Sequence, residues 1–171
     1  MLLQIDTFDK LDGRKLMDLY CEGNEENVEY FYPDMSDRNA ALQKVETDFL
    51  EFLKTQFFCD RRNRYMILEI NGIWVSALRL NYIEHGLYYI EALETHPKYR
   101  KKGFAVKLLS EVLDLLKQQG NYKICSCVSH KNIPSLKTHQ KCGFAIVNDA
   151  GYDYLQKKTD DECYGMQFSY E

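Results

Sequence analysis

No stretch of this sequence approaches the roughly 18 consecutive apolar residues that mark a membrane-crossing helix, so no span is expected. Positive charge is not in excess either. The 22 Lys and Arg stand against 26 Asp and Glu, a formal net charge of −4, and nucleic-acid binding is not expected without a basic face. The opening Met1-Leu2-Leu3-Gln4-Ile5-Asp6 lacks a basic region followed by a long apolar run, so no secretory signal is expected and the chain is expected to be cytoplasmic. The six Cys are then expected as reduced thiols. Cys125 and Cys127 form a C-x-C pair, but no second Cys or His pair stands at zinc spacing, so no metal is expected. That pair reads more simply as two small apolar side chains on one strand face. There is no internal repeat, low-complexity tract or Pro/Gly-rich linker, which leaves one domain over residues 1–171. The Gly-Lys-Ser/Thr of a P-loop and the G-x-G-x-x-G of dinucleotide folds are both missing.

What is present is a balanced globular composition, 45% hydrophobic and 28% charged. The 13 Tyr suit strands and the walls of a cleft. Leu2 to Phe8 reads as a first strand and Asp9 to Tyr20 as a helix weakened by Gly13. Cys21 to Ser36, polar, acidic and aromatic, reads as a loop or broken helix. Asp37 to Phe58 is amphipathic, with Ala41, Leu42, Val45, Phe49, Phe52 and Leu53 at helical spacing. The period then shortens. Tyr65–Ile70, Ile73–Tyr82 and Leu87–Thr95 read as three hairpin-linked strands, turned at Asn71-Gly72 and Glu84-His85-Gly86. Gly103 to Gln119 is a second strong helix, with Val106, Leu109, Val112, Leu113 and Leu116 on its apolar face and Gly120 at its end. Lys123–Ser129 reads as a strand, and Asn132–Lys141 as a helix with Pro134 in its first turn and Gly143 after its end. Phe144–Val147 and Glu162–Ser169 read as the last two strands. The crossover from Leu87–Thr95 to Lys123–Ser129 makes those two strands parallel neighbours.

The junction Pro97-Lys98-Tyr99-Arg100-Lys101-Lys102-Gly103-Phe104-Ala105 carries the chemistry. A strand runs into it and a long helix leaves it. A helix start offers free backbone N–H groups and the positive end of a dipole, which suit phosphate. Gly103 lets the backbone approach closely, Ala105 stays small, and Arg100, Lys101 and Lys102 add positive charge. A basic turn before a helix is also an ordinary solvated surface. A pyrophosphate cradle and such a surface are both compatible with this segment taken alone.

The chain resembles the GNAT superfamily, the Gcn5-related N-acetyltransferases. Arg100, Gly103 and Ala105 match the acetyl-CoA signature Q/R-x-x-G-x-G/A, and Pro97 follows the strand where the family has "V-x-P". Asn132, then Ser135 through Gly143-Phe144, is similar to the second cofactor segment "N…A-x-x-x-Y-x-x-x-G-F". The likeness covers roughly Tyr65 to Phe168. It implies a mixed α/β (α+β) fold, the GNAT fold. That is a mostly antiparallel central sheet of six to seven strands flanked by helices, with splayed parallel fourth and fifth strands. It implies acetyl-CoA as co-substrate, its pyrophosphate on the backbone of Lys101, Lys102, Gly103, Phe104 and Ala105. It further implies the pantetheine arm beside the backbone of Leu93 and Thr95, and contacts from Asn132 and Ser135.

The implied activity is acetyl-CoA-dependent N-acetylation of a primary amine of a small molecule or peptide. Such a reaction needs a base for the ammonium, polarisation of the thioester carbonyl, and a proton for the departing thiolate. Glu91 occupies a strand position from which some members direct a base, with Glu94 in reserve. The second motif has His139 where many members carry a Tyr that protonates the thiolate. His139 is thus the candidate acid, with Tyr152, Tyr154, Tyr164 or water as replacements. His85, His96 and His130 read as ordinary turn residues. The same substitution leaves open a non-catalytic acyl-CoA-binding module. The acceptor is unspecified: Glu22, Glu25, Glu26, Glu29 and Asp34 would favour a polyamine, an aminoglycoside or a peptide amine, or are a solvated acidic segment. A homodimer is also left open.

Overall fold

The computed structural model describes residues 1–171. Its strands are β1 (Leu2–Ile5), β2 (Arg64–Ile70), β3 (Ile73–Glu84), β4 (Leu87–Thr95), β5 (Tyr122–Ser129), β6 (Ala145–Asn148), β7 (Gly151–Asp153), β8 (Lys158–Asp160) and β9 (Cys163–Tyr170). Its α-helices are α1 (Gly13–Leu19), α2 (Cys21–Phe31), α3 (Arg38–Thr55), α4 (Phe104–Lys117) and α5 (Ile133–Lys141). Seven strands form one sheet in the order β1-β2-β3-β4-β5-β9-β6, and β7 and β8 form a small separate hairpin. Every pairing in the large sheet is antiparallel except β4 with β5.

The sheet is covered on both faces around β2 and β3, and each face has its own core. Met66, Leu68, Leu78 and Leu80 pack with Leu108, Leu109, Val112, Leu113 and Leu116 of α4. Tyr65, Ile67 and Ala77 alternate with them and pack with Leu16 and Leu19 of α1 and Leu53 of α3. Burial on both sides explains why β2 and β3 read as near-continuous apolar runs. Each Leu so enclosed contributes about 1.5–3 kcal/mol relative to exposure.

The structure departs from the expected elements at three places in the front third. The first strand ends at Ile5, and Phe8–Lys10 is a short 3-10 turn. The first helix waits until Gly13, because Asp12 caps it, its carboxylate accepting from the Lys15 amide at 3.1 Å. Cys21–Phe31 is one regular helix rather than a loop. Its own sequence is weakly helix-forming, with Gly23, Asn24 and Asn27 inside it. It holds because Asn24 and Val28 are buried, Val28 against Ala41 and Val45 of α3, so tertiary packing overrides weak local preference. The Tyr-rich segment before β9, expected as a connection, contains the β7–β8 hairpin. No helix is long and apolar enough to cross a membrane.

Candidate active site

β4 and β5 pair only from Leu87 opposite Lys123 to Tyr89 opposite Cys125. Beyond that point they separate. On the other side, the register of β4 against β3 shifts between Ala77 and Arg79. Ala92 there has a φ of +52°, an uncommon value for a residue with a Cβ. An extra residue of this kind bends a strand and re-aims its backbone. The Tyr20 hydroxyl donates to the Ala92 carbonyl at 2.6 Å and fixes the bulge from the α1–α3 side.

The separation leaves a cleft. Its inner end, about 210 Å³, is lined by Ile90 to Leu93, Ser126 to Ser129, Asn132, Ser135 and His139. Its outer end, about 640 Å³, reaches Leu93, Thr95, Tyr99 and the loop from Arg100 to Ala105. β4 has no strand partner along this edge past Tyr89, so backbone groups around Leu93 and Thr95 face the space as an unpaired edge.

At the outer end the chain leaves a 3-10 turn, Pro97–Tyr99, and starts α4 at Phe104. Lys101 and Gly103 have φ of +62° and +80°, and Gly103 caps the helix with no side-chain acceptor. The first-turn amides are therefore left to an external acceptor. A Cβ built on Gly103 would meet nothing within 4 Å, so the cradle is open. Lys102 Nζ rests 5.2 Å from the centre of the Tyr99 ring.

Arg100 departs from its expected role as added positive charge. Its guanidinium contacts Glu22 of α2, lies 3.1 Å from Glu94, and donates from Nε to the Thr95 carbonyl at 3.2 Å. Two carboxylates offset the charge, leaving the backbone N–H groups and the two lysines as the uncommitted donors. Glu94, the reserve base, is held by the same contact and also accepts from the Thr95 amide at 3.1 Å. Of the acidic front residues, Glu22 and Glu26 line the outer cleft, and Glu29 pairs with Arg38 at 2.6 Å.

Asn132 caps α5, its Oδ1 accepting from the Ser135 amide at 3.1 Å. His139, about two turns further on, is 2% exposed and packs edge-on against Phe144 at 5.1 Å. Its Nδ1 lies 2.9 Å from the Ser135 carbonyl. A carbonyl only accepts, so Nδ1 carries the hydrogen and the neutral ring keeps a lone pair at Nε2. Nε2 is buried without a protein partner, in the wall of the inner cleft. Burial pushes the His139 pKa below its ordinary value, outweighing the Ser135 contact. At neutral pH the ring is therefore an acceptor at Nε2, not a standing proton donor.

Glu91 lies directly opposite Arg79 in the β3–β4 register. Arg79 Nε is 2.9 Å from Glu91 Oε1, off the N–H axis, so this is a charge contact rather than a directed hydrogen bond. Arg79 was not singled out from the sequence; the alternation of β3 puts it on the Glu91 face, but only the register makes them partners. Tyr154 sits near Cys125 at 3.8 Å, and burial pushes its hydroxyl up to about 12. His96 proves to be buried, with Nδ1 accepting from the Lys98 amide at 3.2 Å. His130 bonds the Asp149 carbonyl at 2.9 Å. No group of three or more His, Cys, Asp or Glu is arranged to hold a metal.

An unpaired strand edge, an open glycine-capped helix start and a cleft joining them fit an extended molecule with a phosphorylated end, as coenzyme A is. The sequence profile of the family described as "Acetyltransferase (GNAT) family" matches residues 16–144. An aminoglycoside N(6')-acetyltransferase type 1 of Serratia marcescens is 28% identical over 89 residues, 47% of this chain and 61% of that protein. An L-methionine sulfoximine/L-methionine sulfone acetyltransferase of Salmonella typhimurium is 29% identical over 77 residues, 44% of this chain and 42% of that protein. The chain thus spans less than two thirds of the length of either relative. In three dimensions it superposes on the PaiA N-acetyltransferase of Thermoplasma acidophilum, solved in complex with coenzyme A, with a TM-score of 0.67. That match covers 99% of both chains at 15% identity, a likeness of fold.

Proposed function

This chain belongs to the GNAT acetyltransferase family, and we propose that it transfers an acetyl group from acetyl-CoA to a primary amine. The observation that carries this is the β4–β5 split, which opens an unpaired strand edge leading from the glycine-capped start of α4 to a buried polar end. Bound acetyl-CoA would supply the activated thioester. The amides of Lys101 to Ala105 hold the pyrophosphate, the β4 edge at Leu93 and Thr95 pairs with the pantetheine amides, and Asn132 and Ser135 close the other side. The relatives named above, with their aminoglycoside and methionine-analogue acceptors, support a small amine as the second substrate.

Glu91 takes the proton of the acceptor ammonium, directly or through water. The nitrogen then bonds to the acyl carbon as the C–S bond breaks. As the amide forms the nitrogen sheds its second proton, which His139 takes at Nε2 and passes to the leaving sulfur, so it works as a relay and its variants shift the pH profile. The test is thiol release with DTNB when acetyl-CoA meets a panel of amines, corrected for the six protein cysteines. Glu91→Gln should lose most turnover and keep CoA affinity. Stabilisation by CoA with no thiol release on a broad panel would instead leave a binding module.

A further inference from the structure

A second cavity, of about 480 Å³, lies on the α1–α3 side of the sheet. Phe49 and Phe52 of α3, Tyr20, and Phe31 of α2 wall it, and Arg79 and Ala92 belong to its sheet side. Ala92 also lines the inner cleft between β4 and β5. Ala92 at the bulge therefore borders both spaces, next to the cleft end at which an acceptor nitrogen has to arrive.

The charges in this cavity are few and unequal. The Arg79 side chain is 13% exposed, and its guanidinium carbon lies 5.7 and 5.1 Å from the ring centres of Phe49 and Phe52. Its Nε meets Glu91 at 2.9 Å without a directed hydrogen bond, and the residue lines the cavity. Asp48, the carboxylate at the cavity wall, is already engaged by the Tyr32 hydroxyl and lies 3.8 Å from Lys44. A polycation could set one ammonium at Glu91, but its others would lie against a desolvated guanidinium with Asp48 already engaged. A carboxylate suits the open fork of Arg79, which presents paired donors in one plane. Glu91 and Arg79 stand side by side, carboxylate beside guanidinium. An ammonium beside a carboxylate is the complement of that pair.

We propose that the acceptor is an α-amino acid with a bulky apolar side chain. Its carboxylate bonds Arg79, its amino group faces Glu91 and the bulge, and its side chain fills the Tyr20–Phe31–Phe49–Phe52 wall. This rests on the acetyl-transfer function proposed above, and the balance of atoms is the one given there.

The test is a set of matched acceptors: leucine with isoamylamine, phenylalanine with phenethylamine, tryptophan with tryptamine, and spermidine as the polycation. Each amino acid should exceed its decarboxylated partner in kcat/KM by about tenfold or more, the worth of one charge-assisted pair. Spermidine should give background rates. Arg79→Gln should collapse each preference toward unity, chiefly through KM for the amino acid, and Arg79→Lys should restore part of it. A ratio within one variant is insensitive to damaged folding or to disturbance of Glu91, since both acceptors share it. Equal or better turnover of the decarboxylated amines, or a preference that survives Arg79→Gln, overturns the proposal and leaves amine acetylation standing. If no amine releases thiol, calorimetric titration of the CoA-saturated protein with phenylalanine separates the two failures. Binding that Arg79→Gln abolishes sinks acetyl transfer but keeps the subsite, and no binding sinks both.

Discussion

Gly103 and Gly72 form a natural control pair, because they have nearly the same φ, +80° and +79°, and neither would place a Cβ within 4 Å of another atom. Gly72 lies in the β2–β3 turn, away from the cleft, and Gly103 lies in its wall. Alanine in either place has to adopt a left-handed backbone, at about 1–2 kcal/mol. For a chain of this size each kcal/mol lowers Tm by about 2–4 °C, so both variants should melt about 2–8 °C lower. Only Gly103→Ala should also weaken coenzyme A. Its methyl group projects into open cradle, and displacing the pyrophosphate from one amide forfeits a charge-assisted hydrogen bond of about 1.5–3 kcal/mol, or roughly tenfold to a hundredfold in Kd. At 100 times the wild-type Kd, coenzyme A should stabilise the wild type and Gly72→Ala by about 2.7 kcal/mol, and a hundredfold weaker Gly103→Ala by about 0.4 kcal/mol. The assay is thermal melting of all three proteins across a coenzyme A titration. A Gly103→Ala Kd within twofold of wild type would refute the placement of the pyrophosphate on this loop.

Other outcomes follow from the same geometry. Tyr20→Phe removes the donor to the Ala92 carbonyl and should cost about 1–3 kcal/mol in urea unfolding, with kcat falling as the bulge loosens. His139 has a depressed pKa when folded, so the unfolded chain binds its proton first on acidification. Stability should therefore fall as pH drops below about 6.5, the ordinary His value, and the fall should be shallower in His139→Gln, read by Tm between pH 8 and 5. Burial raises the thiol pKa of Cys125, Cys127 and Cys142, and that of Cys163 to about 11, whereas Cys59 is exposed. Native protein should thus label with DTNB first at Cys59, shown by loss of the fast phase in Cys59→Ser, and these four thiols should react fast only in denaturant.

Much was readable from the residues themselves, because it depends on neighbours in sequence. The Asn71-Gly72 turn adopts φ of +51° and +79°, as two residues closing a tight hairpin must. The apolar face of α4 and Pro134 in the first turn of α5 were likewise local matters, whereas Gly103 and Asn132, read as first helical residues, cap their helices instead. So was the ordering of strand, basic turn and helix that carries the family likeness. What the sequence did not reveal depends on residues far apart in it. Helix α2 carries the weak helix formers Gly23, Asn24 and Asn27 and is held by α3 through Val28. Arg100 looked like a free cation until the fold brought Glu22 and Glu94 to it. His139 looked like an acid until the Ser135 carbonyl fixed its tautomer and burial discouraged its charge. Arg79 carried no motif at all. Only the β3–β4 register set it against Glu91, and only the aromatic side chains of α3 enclosed it, because charge and desolvation are properties of surroundings and not of the residue alone.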